Sequence, residues 1–184
     1  MRLNDVNFKL ISYHDPSGFG SKLGGLNWNA YTFRQERYKD HSQTFTVPLI
    51  WSEKFNSIQY HSDYLPFKEV LDPIFESIRS VLGEGLPITA ILINLPAGTE
   101  IGRHRDANPI GERFNECHRL HYPILTNDDC IFEIDGEERN LKSGELWEIN
   151  NVSKLHSVRN VGESDRIHLL IDWMPLDVFK RFLD

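Results

Sequence analysis

Residues 130–149, CIFEIDGEERNLKSGELWEI, are the stretch that decides which fold this chain adopts. Three short runs with the residue types of β-strands lie within it: Cys130–Ile134, Glu138–Leu141 and Glu145–Ile149. The first two are joined at Asp135-Gly136, a dipeptide typical of tight β-hairpins, and Ser143-Gly144 supplies a turn before the third. Strands this short, each followed by a turn, predict antiparallel pairing.

Strand-like runs of the same kind extend to both sides of this stretch, from Pro87 onward. They are Ile88–Leu95, His118–Leu125, Ser157–Asn160 and Ile167–Asp172. Six or seven short strands separated by turn residues indicate an antiparallel sandwich or a jelly roll. We expect a short helix at Leu176–Leu183 to close the chain.

The N-terminal part of the chain has a mixed pattern. A short strand is expected at Asn7–Tyr13. Residues 68–82, KEVLDPIFESIRSVL, carry apolar side chains at helical spacing, and Gly83 is a natural end for this helix. Because proline is unfavourable inside a helix, we expect the regular helix to begin near Asp72, with Pro73 in its first turn.

Length and composition predict one globular domain over residues 1–184, with a β-core at 86–175 and a partly helical, substrate-side segment at 1–85. Hydrophobic residues make up 40% of the chain and charged residues 26%, as in globular proteins. The chain has 27 acidic and 20 basic residues, a net charge of -7. This balance argues against nucleic acid or an anionic membrane as the main partner, because both attract basic surfaces.

Cysteine usage and the N-terminus indicate a cytoplasmic protein. Cys117 and Cys130 are isolated thiols outside any CxxC motif, which is typical of a reducing compartment. The first residues, MRLNDVN, have no apolar core, so we expect no secretion signal. The apolar runs are far shorter than a membrane span. The sequence does not indicate an oligomeric state.

The candidate metal ligands are His104, Asp106 and His156. On an extended backbone alternate residues share a face, so His104 and Asp106 can reach one ion. Two imidazoles and a carboxylate are the ligands of a facial triad, which leaves three positions of an octahedral Fe(II) open. Such a site is net positive and favours an anionic ligand. The alternative is coincidence, because the chain has eight histidines.

Arginines on two predicted strands are candidates for anion binding. Strand periodicity places Arg166, His168 and Leu170 on one face, and a charged residue on a buried strand needs a partner. An arginine here can hold a dicarboxylate through two parallel hydrogen bonds. Arg119 and His121 form a second pair with the same period, which is either another anion contact near the metal or an exposed strand face.

Several motifs occur together and in a fixed order: Pro96-Ala97-Gly98-Thr99, His104-Arg105-Asp106, Arg119-Leu120-His121-Tyr122, Ser143-Gly144-Glu145, His156–Asn160 and Arg166–Trp173. Through them, about residues 88–175 resemble the aspartyl/asparaginyl β-hydroxylase family, which also includes bacterial free-proline hydroxylases. The resemblance implies a mainly β, cupin-like jelly roll, the double-stranded β-helix, with flanking helices. It also implies Fe(II), the cosubstrate 2-oxoglutarate and O2.

The resemblance also implies roles for single residues in the metal site. His104 and His156 match the family's metal-binding histidines. Asp106 lies where many 2-oxoglutarate oxygenases place their carboxylate ligand. Animal aspartyl hydroxylases lack a carboxylate there, so the chain resembles the free-amino-acid hydroxylases in this respect.

For the cosubstrate, the resemblance implies that Arg166 pairs with the distal carboxylate of 2-oxoglutarate. Arg119 matches a second arginine near the cosubstrate, and His121 matches a nearby histidine. Asn94 is expected at a polar cosubstrate contact. The expected reaction is hydroxylation of an amino acid, or of an Asp- or Asn-type side chain of a peptide, with release of succinate and CO2.

Candidates for the substrate pocket come from both parts of the chain: His41–Thr44, Arg34, Arg37, Trp51 and Arg159. For each of them an ordinary core or surface position is the competing interpretation, and for Arg159 it is a surface salt bridge. The substrate itself stays open between a free amino acid, a peptide residue and another small acid.

Two other classes of function are compatible with the pattern. A cupin-like metal enzyme would use similar ligands on a similar barrel, but it would not need Arg166 or consume 2-oxoglutarate. A non-catalytic β-sandwich binding module with a decayed metal site is the third interpretation. The intact set of His104, Asp106, His156 and Arg166 argues against it.

Overall fold

The structure is a computed structural model that describes residues 3, 5–52, 57–106 and 116–183. The elements along these residues are β1 (Phe8–Tyr13), α1 (Ser17–Leu23), α2 (Phe33–Arg37), a 3₁₀ turn (Lys39–His41), β2 (Phe45–Trp51), β3 (Gln59–Tyr60), α3 (Tyr64–Leu82), β4 (Gly85–Leu95), β5 (Thr99–His104), β6 (His118–Leu125), β7 (Cys130–Ile134), β8 (Glu137–Arg139), β9 (Glu145–Ile149), β10 (His156–Asn160), β11 (Arg166–Pro175) and α4 (Leu176–Lys180). Every described helix is too short or too polar to cross a membrane.

The described strands form two antiparallel sheets. The larger has the order β1-β9-β6-β11-β4-β2-β3, and the smaller has the order β5-β10-β7-β8. Neighbours in space are distant in sequence, as where β11 lies between β6 and β4. This is the mainly β jelly roll with flanking helices that was predicted, and the prediction is confirmed.

The predicted strands at His118–Leu125, Cys130–Ile134 and Glu145–Ile149 have the observed bounds of β6, β7 and β9. The turn between β7 and β8 holds Asp135 at φ 51° and Gly136 at φ 85°. Left-handed backbone at both positions is what a type I′ hairpin turn requires. Local turn chemistry therefore accounts for this part of the smaller sheet.

The predicted start of the long helix was wrong. Helix α3 begins at Tyr64 and contains Pro73 in its interior. Pro73 and Glu69, four residues before it, both face solvent, so water can satisfy the carbonyl that proline leaves unbonded. Interior proline costs about 3 kcal/mol. Burying one large apolar side chain contributes about 1.5–3 kcal/mol, and α3 buries Phe67, Leu71, Ile74, Phe75 and Ile78.

The sequence did not predict β2, although it lies inside the larger sheet. Its residues FTVPLIW contain Pro48, and proline normally argues against an interior strand. The structure resolves this conflict with an irregularity of register between Pro48 and Ile50, where β2 pairs with β4. Tertiary burial of this strand outweighs the local signal.

The faces of β11 separate two interiors. Ile167, Leu169, Ile171 and Trp173 pack in the core that lies against α1 and α3. The intervening residues Arg166, His168, Leu170 and Asp172 point to the space between the two sheets and are all buried. Strand periodicity predicted this division. The polar face of β11 marks the part of the interior where a site can be built.

Candidate active site

Strand pairing brings the two predicted metal-binding histidines together. His104 is the last residue of β5, and His156 is the first residue of β10. The two strands are antiparallel neighbours, and the register places His156 opposite His104. Asp106 follows directly after β5, and its backbone N–H donates to the Asn151 carbonyl, 3.2 Å away. Residues far apart in the sequence therefore meet at one end of the smaller sheet.

The three side chains converge on one point. Nε2 of His104 lies 3.5 Å from Oδ1 of Asp106, and Nε2 of His156 lies 3.7 Å from Oδ2 of Asp106. One ligand atom from each residue lies within 4.8 Å of the other two. His104 Nδ1 is 2.7 Å from the Gly102 carbonyl, to which it donates. That bond leaves the lone pair on Nε2, the nitrogen that faces Asp106.

The donor set fits a divalent metal such as Fe(II). Oδ2 of Asp106 accepts hydrogen bonds from Asn151 Nδ2, at 2.6 Å, and from Arg119. Oδ1 is thus the oxygen that remains for an ion, together with the two Nε2 atoms. Such hydrogen bonds around a ligand fix its orientation. The set supplies nitrogen and oxygen donors on one side only, as a facial triad does.

The charges of the site set the protonation states of Asp106 and His156. Burial opposes ionisation of Asp106, but the charge of Arg119 and the contact with His104 hold its pKa well below the usual range. Burial lowers the pKa of His156 to about 4. Burial also opposes protonation of His104, but bonding to Asp106 and to the Gly102 carbonyl outweighs it and raises its pKa. A carboxylate and a neutral His156 are therefore present near pH 7.

Arg119 lies between two carboxylates. Its Nε and Nη2 donate to Oδ1 and Oδ2 of Asp172, at 2.7 and 3.0 Å, and its Nη1 donates to Asp106. The pairing of β6 with β11 sets this geometry, because Arg119 and Asp172 are opposite in register. Arg119 thus orients Asp106 through a rigid, charged contact. Sequence analysis did not identify Asp172 or Asn151, whose types gave no signal of their own.

Arg166 is a buried cation without a carboxylate partner among the described residues. The residue is 2% exposed. Its Nη1 donates to Nδ1 of His168 at 2.6 Å, and its Nη2 has no partner in the described part of the chain. Burial lowers the pKa of Arg166. An unpaired buried charge is expensive, so this arrangement is suited to receive an anion.

Two stacked histidine rings lie beside the triad, and one of them, His168, contacts Arg166. His121 and His168 stack with their centroids 4.9 Å apart and an interplanar angle of 13°. Both line the cavity that contains the triad. His121 was predicted as a site residue. His168 was predicted to share a strand face with Arg166 but was not predicted as a site residue. Its spacing of two residues from Arg166 was the signal that could have indicated this role.

Asn94 is not brought to the cavity. Its Nδ2 donates to Asp165 Oδ2 at 3.0 Å, in an exposed contact. The preceding residue, Ile93, lines the cavity. Because successive side chains of a strand point to opposite faces, Asn94 on β4 points away from it. The expected cosubstrate contact of Asn94 thus has no geometric support, and its amide instead ties β4 to the turn before β11.

The cavity around the triad has a volume of about 30 Å³. Its polar lining comes from both sheets and from the N-terminal segment: His104, Asp106, His156, Arg119, His121, His168, Arg34 and His41. The volume is near that of one water molecule. A dicarboxylate therefore enters only if side chains around the cavity shift.

The other sequence candidates lie elsewhere. Trp51 packs on Phe33, with ring centroids 5.0 Å apart. Arg159 pairs with Glu138 at 2.8 Å on the surface, as the competing interpretation had it. The side chain of Arg37 lies outside the described structure. From the N-terminal candidates, Arg34 and His41 are thus the ones that the structure places at the cavity.

The buried imidazoles predict a loss of stability in mild acid. Burial, followed by the charge of Arg166, holds the pKa of His121 and of His168 well below the usual range, and burial lowers the pKa of His41 to about 3. Such groups stabilise the fold above their unfolded pKa of about 6.5, and this contribution is lost as the pH falls. From pH 6.5 to 5.5 we expect the free energy of unfolding of the metal-free protein to fall by about 1 kcal/mol for each ring.

Urea unfolding at the two pH values measures this loss. His168→Asn removes one of the rings, so it should reduce the loss by about 1 kcal/mol. An unfolding free energy that stays constant across this interval in the parent protein would show that the rings are not held neutral by burial.

A family model described as Aspartyl/Asparaginyl beta-hydroxylase matches residues 72–175 of the chain. The match covers more than half of the chain and includes the triad, Arg119 and Arg166. No curated protein sequence matches the chain.

Solved structures with the same fold cover almost the whole chain. An oxidoreductase of the 2OG-Fe(II) oxygenase family from Burkholderia pseudomallei has a TM-score of 0.66 at 13% identity, over 92% of this chain and 85% of that one. A viral collagen prolyl hydroxylase from Paramecium Bursaria Chlorella virus-1, solved as its 2OG complex, has a TM-score of 0.59 at 7% identity, over 94% and 98%. At these identities the likeness establishes the shared fold.

Proposed function

Since this chain belongs to the aspartyl/asparaginyl beta-hydroxylase family, we propose that it uses Fe(II), 2-oxoglutarate and O2 to hydroxylate an amino acid, or an Asp- or Asn-type side chain of a peptide. Family membership makes the chain an oxygenase of the hydroxylase type. The observation that carries the finer proposal is the combination of the triad with Arg166. A buried guanidinium without a carboxylate partner in the described chain contacts His168, which lines the cavity of a complete set of candidate metal ligands.

In this proposal His104, Asp106 and His156 would hold the metal, because their donor atoms converge beside the cavity. Bound Fe(II) would supply O2 activation, coupled to decarboxylation of 2-oxoglutarate to succinate and CO2 and to hydroxylation of the substrate. Arg119 and Asn151 hold Asp106 in place through Oδ2. The protein's part is to position these groups before the ligands arrive.

Arg166 is proposed to receive the distal carboxylate of 2-oxoglutarate. His168 accepts from Nη1 of Arg166 and leaves Nη2 for the anion. The cavity is also lined by the apolar side chains of Ile101, Phe132 and Val158. Apolar walls strengthen the attraction between the charged groups and a dicarboxylate.

The proposal treats residues 1–184 as a single oxygenase domain. The core over residues 86–175 carries the triad and Arg166. The segment before it contributes β1, β2 and β3 to the larger sheet, and it supplies Arg34 and His41 to the cavity. We place substrate selection in this segment, and a small molecule or a peptide side chain as the partner.

An anaerobic titration of the metal-free protein with Fe(II) and then 2-oxoglutarate tests this function. We expect a visible charge-transfer band when the 2-oxo acid chelates the metal. Air should then convert the bound 2-oxoglutarate to succinate, faster when a substrate amino acid or peptide is present. Tight metal binding without a band would contradict the proposal and favour a cupin-like enzyme. Absence of metal binding would favour a binding module.

A further inference from the structure

Arg34 is a second buried arginine at the cavity, and it comes from the N-terminal segment. It lies in α2 and is 8% exposed. Its Nη2 lies 3.4 Å from Nδ1 and 3.3 Å from Nε2 of His41, so the guanidinium rests against the imidazole ring. Both residues line the cavity beside the triad. Nothing in the family match assigns Arg34 a role, because the match begins at residue 72.

The charge of Arg34 is not neutralised by the described residues around it. His41 is a neutral contact, because burial and the nearby Arg34 lower its pKa to about 3. The carboxylates whose charge acts on Arg34 are those of Asp106 and Asp172, and both are already paired with Arg119. Burial lowers the pKa of Arg34 to about 10, so it is still a cation at neutral pH. A buried cation of this kind needs an anion.

The charges around the cavity leave one positive charge over when the proposed metal and cosubstrate are bound. The charged groups to be counted are Arg34, Arg119 and Arg166 against the carboxylates of Asp106 and Asp172, both of which pair with Arg119. The dication Fe(II) and the dianion 2-oxoglutarate cancel each other. Arg119 is matched by its carboxylates, and Arg166 is assigned to the cosubstrate. Arg34 is thus the arginine left, among the described residues, for a further anion.

We propose that Arg34 binds a carboxylate of the substrate and thereby selects acidic or amino-acid substrates. This rests on the proposed function. His41 holds the guanidinium in place, and its ring centroid lies 5.3 Å from that of His104. A carboxylate bound by Arg34 is thus anchored beside the metal ligands. The planar guanidinium suits this task because it can hold both carboxylate oxygens at once.

The carboxylate can come from two sources with the same chemistry. It is either the α-carboxylate of a free amino acid or the side-chain carboxylate of an Asp residue within a peptide. Replacing the α-carboxylate with an amide removes binding in the first case. Exchanging Asp for Asn in an end-blocked peptide removes it in the second case.

The experiment starts from the anaerobic protein with Fe(II) and 2-oxoglutarate bound. The probes are the free amino acids, their α-amides, and end-blocked peptides with a central Asp or Asn. Their binding is read from the change they cause in the charge-transfer band. We expect at least one carboxylate probe to bind, and its amide or Asn partner to bind on the order of 100-fold more weakly.

Arg34→Gln should weaken binding of that carboxylate probe by about the same factor, on the order of 100-fold. Binding of the amide probe should not change. The dissociation constants of Fe(II) and 2-oxoglutarate should stay within about 3-fold of those of the parent protein, because the variant retains the triad and Arg166. Arg159→Gln is the matched control, since Arg159 forms a surface pair with Glu138. It should change none of these constants.

Three results would overturn the proposal even if the charge-transfer band forms in the parent protein. They are equal binding of a carboxylate probe and its neutral partner, no response to any carboxylate probe, and a loss of 2-oxoglutarate binding in Arg34→Gln. If that variant does not fold, Arg34→Lys, which retains the charge but not the planar fork, should weaken binding of the carboxylate probe and not of the amide, and equal binding of the carboxylate probe to Arg34→Lys and the parent protein would overturn the proposal. Failure of the band to form in the parent protein would instead refute the proposed function.

Discussion

Replacing His104 with alanine should weaken Fe(II) binding by more than about 100-fold and abolish succinate formation, because even partners that only orient a metal ligand contribute 10- to 100-fold. The side chain supplies a nitrogen 3.5 Å from Asp106 Oδ1 and has its tautomer set by the Gly102 carbonyl. Without it, two donors remain, and Asp106 keeps its pairing with Arg119. Calorimetric titration of the metal-free variant with Fe(II) measures this loss.

The matched control is His61→Ala. His61 is a partly buried histidine whose ring meets Tyr31, away from the cavity of the triad. This variant should bind Fe(II) as the parent protein does. Equal Fe(II) affinity in His104→Ala and the parent would show that the metal does not bind at the triad.

Replacing Arg166 with methionine should raise the dissociation constant of 2-oxoglutarate by at least about 30-fold, since removing one partner of a buried charge pair costs about 2–5 kcal/mol. The metal should still bind, because Arg166 touches His168 and none of the three ligands. The apo protein should become more stable, by about 1 kcal/mol, because an unpaired buried charge is replaced by an apolar chain of similar length. Band titration and urea unfolding measure the two effects.

The opposite signs of the two effects make this prediction specific. A purely structural role for Arg166 would lower stability in the variant. Arg166→Lys retains the charge but not the planar fork, so it should recover only part of the cosubstrate affinity. Arg159→Met, at a surface pair with Glu138, should alter neither quantity. Unchanged 2-oxoglutarate binding in Arg166→Met would refute the role proposed for Arg166.

The strands around residues 130–149 could be predicted because their signals are local. Asp135 and Gly136 have the left-handed backbone that their residue types allow, and the adjoining runs became β7 and β9 with the predicted bounds. The helix start at Tyr64 and the strand β2 could not be predicted, because each contains a proline that argues against it locally. Their apolar faces are buried by distant parts of the chain, and that burial outweighs the local cost.

The residues of the candidate site likewise include some that the sequence could indicate and others that only the structure places. Sequence spacing and family resemblance predicted the triad, Arg119, His121 and Arg166 as site residues, since each stands within a recognisable motif. The placement of Asn94 away from the cavity depends on which face of β4 turns inward. Asp172 and Asn151 acquire their contacts from strand register and loop placement. Strand register and loop placement cannot be read from residue types.

By itself, the sequence determined the strand pattern, the hairpin turns and the set of residues able to bind a metal and an anion, because periodicity, turn chemistry and donor type are properties of short segments. Only the tertiary structure decided which charges are already paired. It placed Arg119 between two carboxylates and left Arg34 and Arg166 without one among the described residues. Charge pairing depends on distances between strands and helices that are remote in sequence, and packing alone sets those distances.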